Sequence, residues 1–337
     1  MNQILEALYQ GDHLNKTQTE TLVTSIVKGE LSEIEISALL VALKMKGESS
    51  EEIAGAANAL RASATPFARP EGNIVDTCGT GGDGLGTINI STVVALVCAE
   101  CGVPVAKHGN RSVSSKSGSS DVLQRFGLKL DITPDVAARC LREENFCFLF
   151  APQYHPGVKH VMPVRTALKT RTLFNLIGPL ANPAAPNIQL MGVYDPKLLA
   201  QMAQALGKLG CEKAMVVNGG GLDEIALHCD TQVAYLDNGR VTEMTITPEQ
   251  AGLKRVPLES LQLDDPDEIA AALLCLIKGI GKPEHNDVVA LNSAAVLLMS
   301  EKVSSLKEGV ERAKEAILSG RVAERLARVV ELSHGRG

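Results

Sequence analysis

The chain has 337 residues, a formal net charge of -6, 45% hydrophobic residues and a mean hydropathy of +0.07. That length and apolar content supply core enough for one large domain and a small one, and exclude wholesale disorder. The acidic balance disfavours a nucleic-acid partner, and no apolar run reaches the roughly 20 residues of a membrane helix, so no membrane partner is expected.

Met1 to Gln10 has neither the basic start nor the apolar core of a secretory leader. The eight cysteines sit mostly among apolar residues, as reduced thiols do, which points to a cytoplasmic protein. Cys98 and Cys101 form a C-x-x-C inside a predicted helix with no second pair nearby, and read as small buried hydrophobes.

Residues 1 to about 65 read as helix. Three capping boxes recur, Thr17 with Glu20, Ser32 with Glu35 and Ser49 with Glu52, each opening a segment of helically spaced apolar residues. Such short helices must pack on one another, on the rest of the chain or on a second copy. Thr65 to Pro70 reads as a linker. Ile74-Val75 then enters Asp76-Thr77-Cys78 and the GTGGDG loop from Gly79 to Gly84, followed by Thr87 to Thr92, a long apolar segment to Cys101 and a short run from Val103 to Ala106. Strand, glycine loop, helix, strand is the pattern of a parallel crossover. Five glycines between Gly79 and Gly86 suit either a ligand-free βα turn or a nest of N–H groups for an anion. The spacing fits neither a Rossmann fingerprint nor a P-loop. Asn89, Ser91 and Thr92 crowd the start of the apolar helix, and helix capping accounts for only one of them.

Lys107 to Arg111 opens a second polar loop that runs through Ser112 to Ser120. Serine-rich stretches are commonly flexible linkers. This one joins a strand to a short helix at 121–126 and carries Lys107, Arg111 and Lys116, a mixture of hydroxyls and cations that suits phosphate oxygens. Thr133-Pro134-Asp135 starts a helix that ends near Asn145, before a buried strand from Phe146 to Phe150. A basic stretch with Lys159, His160, Arg165, Lys169 and Arg171 follows, and it reads as a solvated face except that Arg165 lies among Val161, Met162, Val164 and Leu168. Further strands are predicted at 188–194 and 213–217. The second runs into Gly219-Gly220-Gly221-Leu222-Asp223-Glu224, which fits a polar turn or, with its adjacent carboxylates, a divalent-cation site. Short strands to about Ile246 and helices at about 266–279, 286–300, 303–318 and 321–332 complete the chain.

Taken together, GTGGDG with Asn89-Ile90-Ser91-Thr92, the run Lys107 to Ser115, Arg171 to Leu180 and Gly221 to Glu224 resemble the anthranilate phosphoribosyltransferases, in that family's order and across essentially the whole chain. The resemblance implies an α/β fold: a large domain with a mostly parallel central sheet flanked by helices (71–337), plus a small all-helical domain (1–65). The segment near 165–185 would join the small domain and a homodimer would form through it. It implies transfer of the phosphoribosyl group from phosphoribosyl pyrophosphate to the amine of anthranilate in tryptophan biosynthesis, with two Mg²⁺ ions per subunit as cofactor. Carried over by position, Gly79, Gly82, Asp83, Thr87, Asn89, Ile90, Ser91 and Thr92 would hold phosphoribosyl pyrophosphate, with Lys107, His108, Gly109, Asn110, Arg111, Ser112, Val113, Ser114, Ser115 and Ser119. Gly79, Asn110 and Arg165 would receive anthranilate, and Ser91, Asp223 and Glu224 the metal; no general acid or base is assigned.

Four positions depart from the family pattern. Ile88 stands where Phe is frequent, Lys169 where Gly is usual, and Asn218 and Gly220 where His and Asp often stand. The resemblance leaves open an association with a glutamine amidotransferase subunit. Two alternatives have discriminating features. A pyrimidine-nucleoside phosphorylase would not be expected to carry Asp223-Glu224 or Asn110-Arg111. A non-catalytic nucleic-acid-binding relative should have lost the glycine loop and gained positive charge.

Overall fold

The computed structural model describes residues 2–111 and 118–335. Four helices come first, α1 (Asn2–Tyr9), α2 (Lys16–Lys28), α3 (Glu33–Lys46) and α4 (Ser50–Ala62). The Ser32/Glu35 and Ser49/Glu52 capping boxes form as expected. The Thr17/Glu20 box does not. Asn15 caps α2 instead, its Oδ1 accepting from the Gln18 N–H at 2.9 Å while Gln18 Oε1 accepts from the Asn15 N–H. Asn is at least as good a cap as Thr, so the earlier box wins and Thr17 is drawn into the first turn.

Glu52 does more than cap. Its carboxylate, fully buried, accepts from the N–H groups of Leu14 (2.9 Å) and Ser49 (2.7 Å) and from Lys46 Nζ (2.7 Å), and lies 3.2 Å from His13 Nδ1. One side chain thus pins the α1–α2 loop, the end of α3 and the start of α4.

The chain continues through β1 (Val75–Asp76), α5 (Ile90–Glu100), β2 (Val105–Gly109), α6 (Ser119–Arg125), α7 (Pro134–Glu144) and β3 (Phe146–Phe150). Short helices α8 (Ala151–Tyr154), α9 (Met162–Leu168) and α10 (Leu173–Leu176) lead to β4 (Ile188–Gly192), α11 (Leu199–Lys208), β5 (Lys213–Asn218), β6 (Thr231–Asp237) and β7 (Arg240–Ile246). Helices α12 (Pro266–Ile277), α13 (Pro283–Met299), α14 (Leu306–Leu318) and α15 (Arg321–Ser333) close the fold. The helix expected from 286 begins at Pro283, which suits a first helical position.

The seven strands run in the order β3-β2-β1-β4-β5-β6-β7, the first five mutually parallel and the last two antiparallel. A mostly parallel sheet with helices on both faces and an N-terminal helical bundle is the fold the resemblance implied. Alternate residues of β5 feed the two cores. Met215 and Val217 join α5 and α13 on one face, whereas Ala214 and Val216 join α11, α4 and the helical bundle on the other. Val161, Val164, Leu173, Phe174 and Leu180 belong to that second core. The apolar faces of the opening helices are therefore largely covered by one another and by the rest of the chain. One stripe on α3 is not. Ile34 (83% exposed), Val41 (40%) and Met45 (80%) face solvent at helical spacing.

β2 extends further than the sequence indicated. Lys107, His108 and Gly109 pair with Phe148, Leu149 and Phe150, so they are sheet residues and the polar loop starts only at Asn110. All eight cysteines are unpaired; Cys98 is buried, its Sγ 3.9 Å from the Ser293 carbonyl oxygen. Among the described residues no helix is long and apolar enough to cross a membrane.

Burial by itself would raise the Glu52 pKa, but the bonds from Lys46, Leu14, Ser49 and His13 outweigh it and hold the carboxyl below its ordinary value of 4.5. A depressed acid contributes stability above the unfolded pKa and loses it as pH falls through the folded one. Glu52→Gln, which leaves Lys46 without its charge partner, should cost about 3–5 kcal/mol in chemical denaturation near pH 7. The gap to wild type should close as the pH is taken below 4.5.

Candidate active site

Strand order reverses its direction of growth at β1 and β4, and the carboxyl ends of parallel strands flanking such a point form a natural ligand crevice. The Gly79–Gly86 loop leaves β1 there and the 219–224 loop leaves β5. They touch. The Gly81 N–H donates to Asp223 Oδ2 at 2.8 Å, and the Thr80 N–H donates to the Gly192 carbonyl at 2.8 Å. Gly192 has to lack a side chain, since a Cβ there would fall 1.5 Å from the Asp223 carbonyl oxygen. Gly81 and Gly82 are both left-handed, with φ of 65° and 78°, a pair that turns consecutive amides toward one side.

The far end of the loop is fastened as well. The Ile88 N–H donates to Leu261 O (2.9 Å), the Leu263 N–H to Gly86 O (3.0 Å) and Gln262 Nε2 to Leu85 O (2.7 Å). Thr87 bridges Gln262, and Asn89 caps α5 through the Thr92 N–H at 3.3 Å. Ile90, Ser91 and Thr92 form the first turn of that helix.

Three acids converge on this start. Burial, then the charge of Asp83 and a hydrogen bond between the two carboxyls, push the Asp223 pKa up to about 7. Glu224 is driven well above the usual carboxylate range by burial and by Asp223, although the Ser91 N–H donates to it. Lys107 is the ammonium beside them. Its Nζ donates to Thr77 O (2.9 Å) and lies 3.4 Å from Thr77 Oγ1 and 3.3 Å from Ser91 Oγ. Behind Lys107 lies Asp76, fully buried, taking hydrogen bonds from Asn182 Nδ2 (2.8 Å) and the His108 N–H (3.3 Å). Burial raises the Asp76 pKa to about 6, with Lys107 the chief opposing influence.

The donor set suits Mg²⁺. Half-buried carboxylates beside one ammonium favour a hard cation. Among the described residues no three His, Cys, Asp or Glu groups form a ready-made cage. An ion bridged by phosphate oxygens and water needs only one or two protein carboxylates.

The other candidates lie on β2, at the start of α6, on α9 and in the loop that follows β2. His108 turns its ring inward, Nδ1 3.1 Å from Gly178 O and edge-on to His155 at 5.3 Å, so it can face the crevice only with its backbone. Burial, and next the neighbouring His155, take the His108 pKa down to about 3. Asn110 is exposed and its Oδ1 accepts from the Arg111 N–H; Arg111 pairs with Asp121 (3.2 Å) and Gln124 (3.1 Å), and Ser119 opens α6. Ser112, Val113, Ser114 and Ser115 lie outside the described residues. Arg165, on α9, makes no ion pair among the described residues; it lies 3.9 Å from Met162 Sδ and 6.0 Å from the Phe174 ring centre. Burial lowers its pKa.

Asp76, Asn182 and Arg171 escaped the sequence reading as site residues. Arg171 Nη2 donates to the Gly82 carbonyl, and its guanidinium lies 3.5 Å from the Tyr194 ring centre. The signals were a lone acid in an apolar run and an arginine indistinguishable in sequence from its basic neighbours.

Residues 2–64 match the model described as "Glycosyl transferase family, helical bundle domain", and residues 71–323 match "Glycosyl transferase family, a/b domain". The chain is 54% identical over 333 residues to anthranilate phosphoribosyltransferase of Sorangium cellulosum, covering 99% of this chain and 96% of that one. It is 52% identical to the protein of the same name from Aeromonas hydrophila, covering 99% and 98%. The structure of anthranilate phosphoribosyltransferase from Thermus thermophilus superposes with a TM-score of 0.93 at 41% identity, covering 98% of this chain and 99% of that one. The Saccharomyces cerevisiae enzyme in complex with phosphoribosyl pyrophosphate and Mg superposes with a TM-score of 0.89 at 26% identity, covering 99% and 97%.

Proposed function

The chain belongs to the anthranilate phosphoribosyltransferases, and we propose that the crevice between the glycine loop and the 219–224 loop is where it carries out that transfer. The 5-phosphoribosyl group passes from phosphoribosyl pyrophosphate to the amine of anthranilate, giving N-(5-phosphoribosyl)anthranilate and pyrophosphate, a step of tryptophan biosynthesis. The observation that carries the assignment is the bonding of Gly81 to Asp223 and of Ser91 to Glu224, which joins an anion-binding loop to a cation-binding one.

In this reading the loop amides from Gly79 to Asp83, with Thr87 and the first turn of α5 at Asn89 to Thr92, hold the phosphates. Lys107 and the loop beginning at Asn110 and Arg111 close the cradle through Ser119. Mg²⁺ on Asp223, Glu224 and Ser91 neutralises charge gathering on the departing pyrophosphate. Two ions per subunit fit three acids set against one ammonium. The chain's own amides are preorganised for the same developing charge. Arg165 takes the anthranilate carboxylate with its planar fork, beside Asn110 and the Gly79 backbone, and so aims the amine at C1. The aromatic amine then needs orientation more than a base.

A homodimer through the helical domain belongs to the same proposal, supported by the bare α3 stripe of Ile34, Val41 and Met45. A cytoplasmic setting is supported by the eight unpaired cysteines.

Asp223→Asn keeps the side-chain shape and removes charge. Turnover should fall steeply, the melting temperature should hold, and extra Mg²⁺ should restore part of the rate. Superimposable Mg²⁺ curves for wild type and variant would leave the metal role unsupported. Arg165→Ala removes a charged hydrogen bond, a loss of about 1.5–3 kcal/mol, so kcat/KM for anthranilate should drop about 10- to 100-fold while KM for phosphoribosyl pyrophosphate moves little. Equal weakening of both substrates would point to misplaced domains instead. For the dimer, light scattering at micromolar concentration should give twice 35.7 kDa for the wild type and 35.7 kDa for Val41→Glu. A dimer that survives Val41→Glu would remove α3 from the interface.

A further inference from the structure

We propose that Arg171 is a positioning residue that ties the segment bearing Arg165 to the glycine loop, so that filling the phosphate cradle tightens the hold on anthranilate. The inference rests on the substrate assignment above and adds to it a residue which that assignment does not use.

Arg171 lies in the turn between α9, which carries Arg165, and α10. One side of this turn is fixed to the helical bundle, where Lys44 of α3 bonds Thr170 Oγ1. The turn is closed locally by the Thr172 N–H, which donates to Asn175 Oδ1 at 3.0 Å. Its other side reaches the sheet domain through Arg171, by the bond to Gly82 O and by the 3.5 Å stack over Tyr194, two residues past the end of β4. Among the described residues Arg171 has no carboxylate partner, so its charge is directed at a loop carbonyl and an aromatic face.

The shape of guanidinium matters here. A planar cation can stack on a ring and donate in its own plane at the same time, whereas an ammonium cannot do both. Gly81 is meanwhile held from the opposite side by Asp223. The two-residue stretch Gly81-Gly82 is thus gripped between the acid loop and the helical segment. Because the peptide is planar and trans, fixing the Gly82 carbonyl fixes the following N–H of Asp83 on its other side. A phosphate that orders this loop thereby orders the Arg171 contact, and with it the turn that ends α9. Coupling between two binding sites is reciprocal, so anthranilate should tighten the cradle by the same factor.

The test needs an occupant of the cradle that does not react. Anthranilate is titrated by its own fluorescence, with and without saturating Mg²⁺ and pyrophosphate, for wild type, Arg171→Gln, Arg171→Lys and Tyr194→Leu. The wild type should bind anthranilate on the order of fivefold or more tightly when pyrophosphate is present. Arg171→Gln should bring that ratio to about one, and Arg171→Lys and Tyr194→Leu should fall between. Arg165→Ala serves as the separating control, expected to weaken anthranilate in both states and, since the tightened contact is its own, to lower the ratio as well. If Arg165→Ala leaves anthranilate affinity unchanged, the substrate assignment fails while the coupling measurement still stands. A ratio near one in the wild type overturns the proposal. So does a wild-type ratio in Arg171→Gln, whether that variant merely melts lower or binds pyrophosphate less well. If Arg171→Gln does not fold, Tyr194→Leu decides: a wild-type ratio there overturns the proposal.

Discussion

The structure depends on one close approach, that of β4 to the loop carrying Asp223. A Cβ on Gly192 would lie 1.5 Å from the Asp223 carbonyl oxygen, and one on Gly79 would come within 3.1 Å of Asp223 Oδ2. Two backbones that meet without side chains between them leave no freedom for the acids to drift. The Gly81–Asp223 hydrogen bond is a consequence, since Asp223 reaches the loop only because β4 lets it. The sheet is the ruler for this contact: β1, β4 and β5 pair in register, so their carboxyl ends arrive together.

Buried charge is arranged in two layers around that contact. Asp76 is matched from within, by Lys107, by the Asn182 amide and by the His108 N–H, and Asn182 also donates to Ala106 O at 2.8 Å. Asp223 and Glu224 are less well matched: burial and Asp83 raise both, Asp223 raises Glu224 further, and Lys107 and the Gly81 and Ser91 N–H groups offset only part of this. The inner acid therefore holds the strand ends in place, and the outer pair faces the crevice short of positive charge. Such an imbalance favours a cation beside these acids, in keeping with the metal role proposed for them.

Much of this was legible before the structure. Gly79–Gly84 and Asp223-Glu224 each suited an ordinary turn as well as a ligand, and it was their combination with Asn89–Thr92 and the run from Lys107, in one family's order, that singled them out. The parallel crossover followed from the apolar runs around them, and the Ser32 and Ser49 helix starts from their capping boxes. Lys107 and His108 were harder. Polar residues at a strand end look like loop, and only pairing with Phe148 and Leu149 keeps them in the sheet. Thr17 lost to Asn15 because two good caps stood two residues apart and Asn15 with Gln18 completes the earlier box. Arg171 and Asn182 were illegible for a plainer reason. Their roles come from partners 89 and 106 positions away, Gly82 and Asp76, and no local pattern encodes such a pairing.

The departures from the family pattern are absorbed one layer behind the acids. Asn218 supplies both a donor and an acceptor: its Nδ2 donates to Val193 O at 2.7 Å and its Oδ1 takes the Gly221 N–H at 3.0 Å, which closes the turn at the end of β5. Gly220 adopts a φ of 65°, and a Cβ there would come within 2.8 Å of Cys229 Sγ, so the smaller residue lets the 228–229 segment pack against the turn. Lys169 is the one with a cost. It ends α9 at a φ of 46°, a left-handed conformation that disfavours a side chain by roughly 1–2 kcal/mol relative to Gly. The strain lies in the turn that Arg171 fastens to the glycine loop, four residues from Arg165. A turn held against its own preference is one whose geometry responds when a contact at its end is made or lost, and here that contact is with the loop proposed to hold the phosphates.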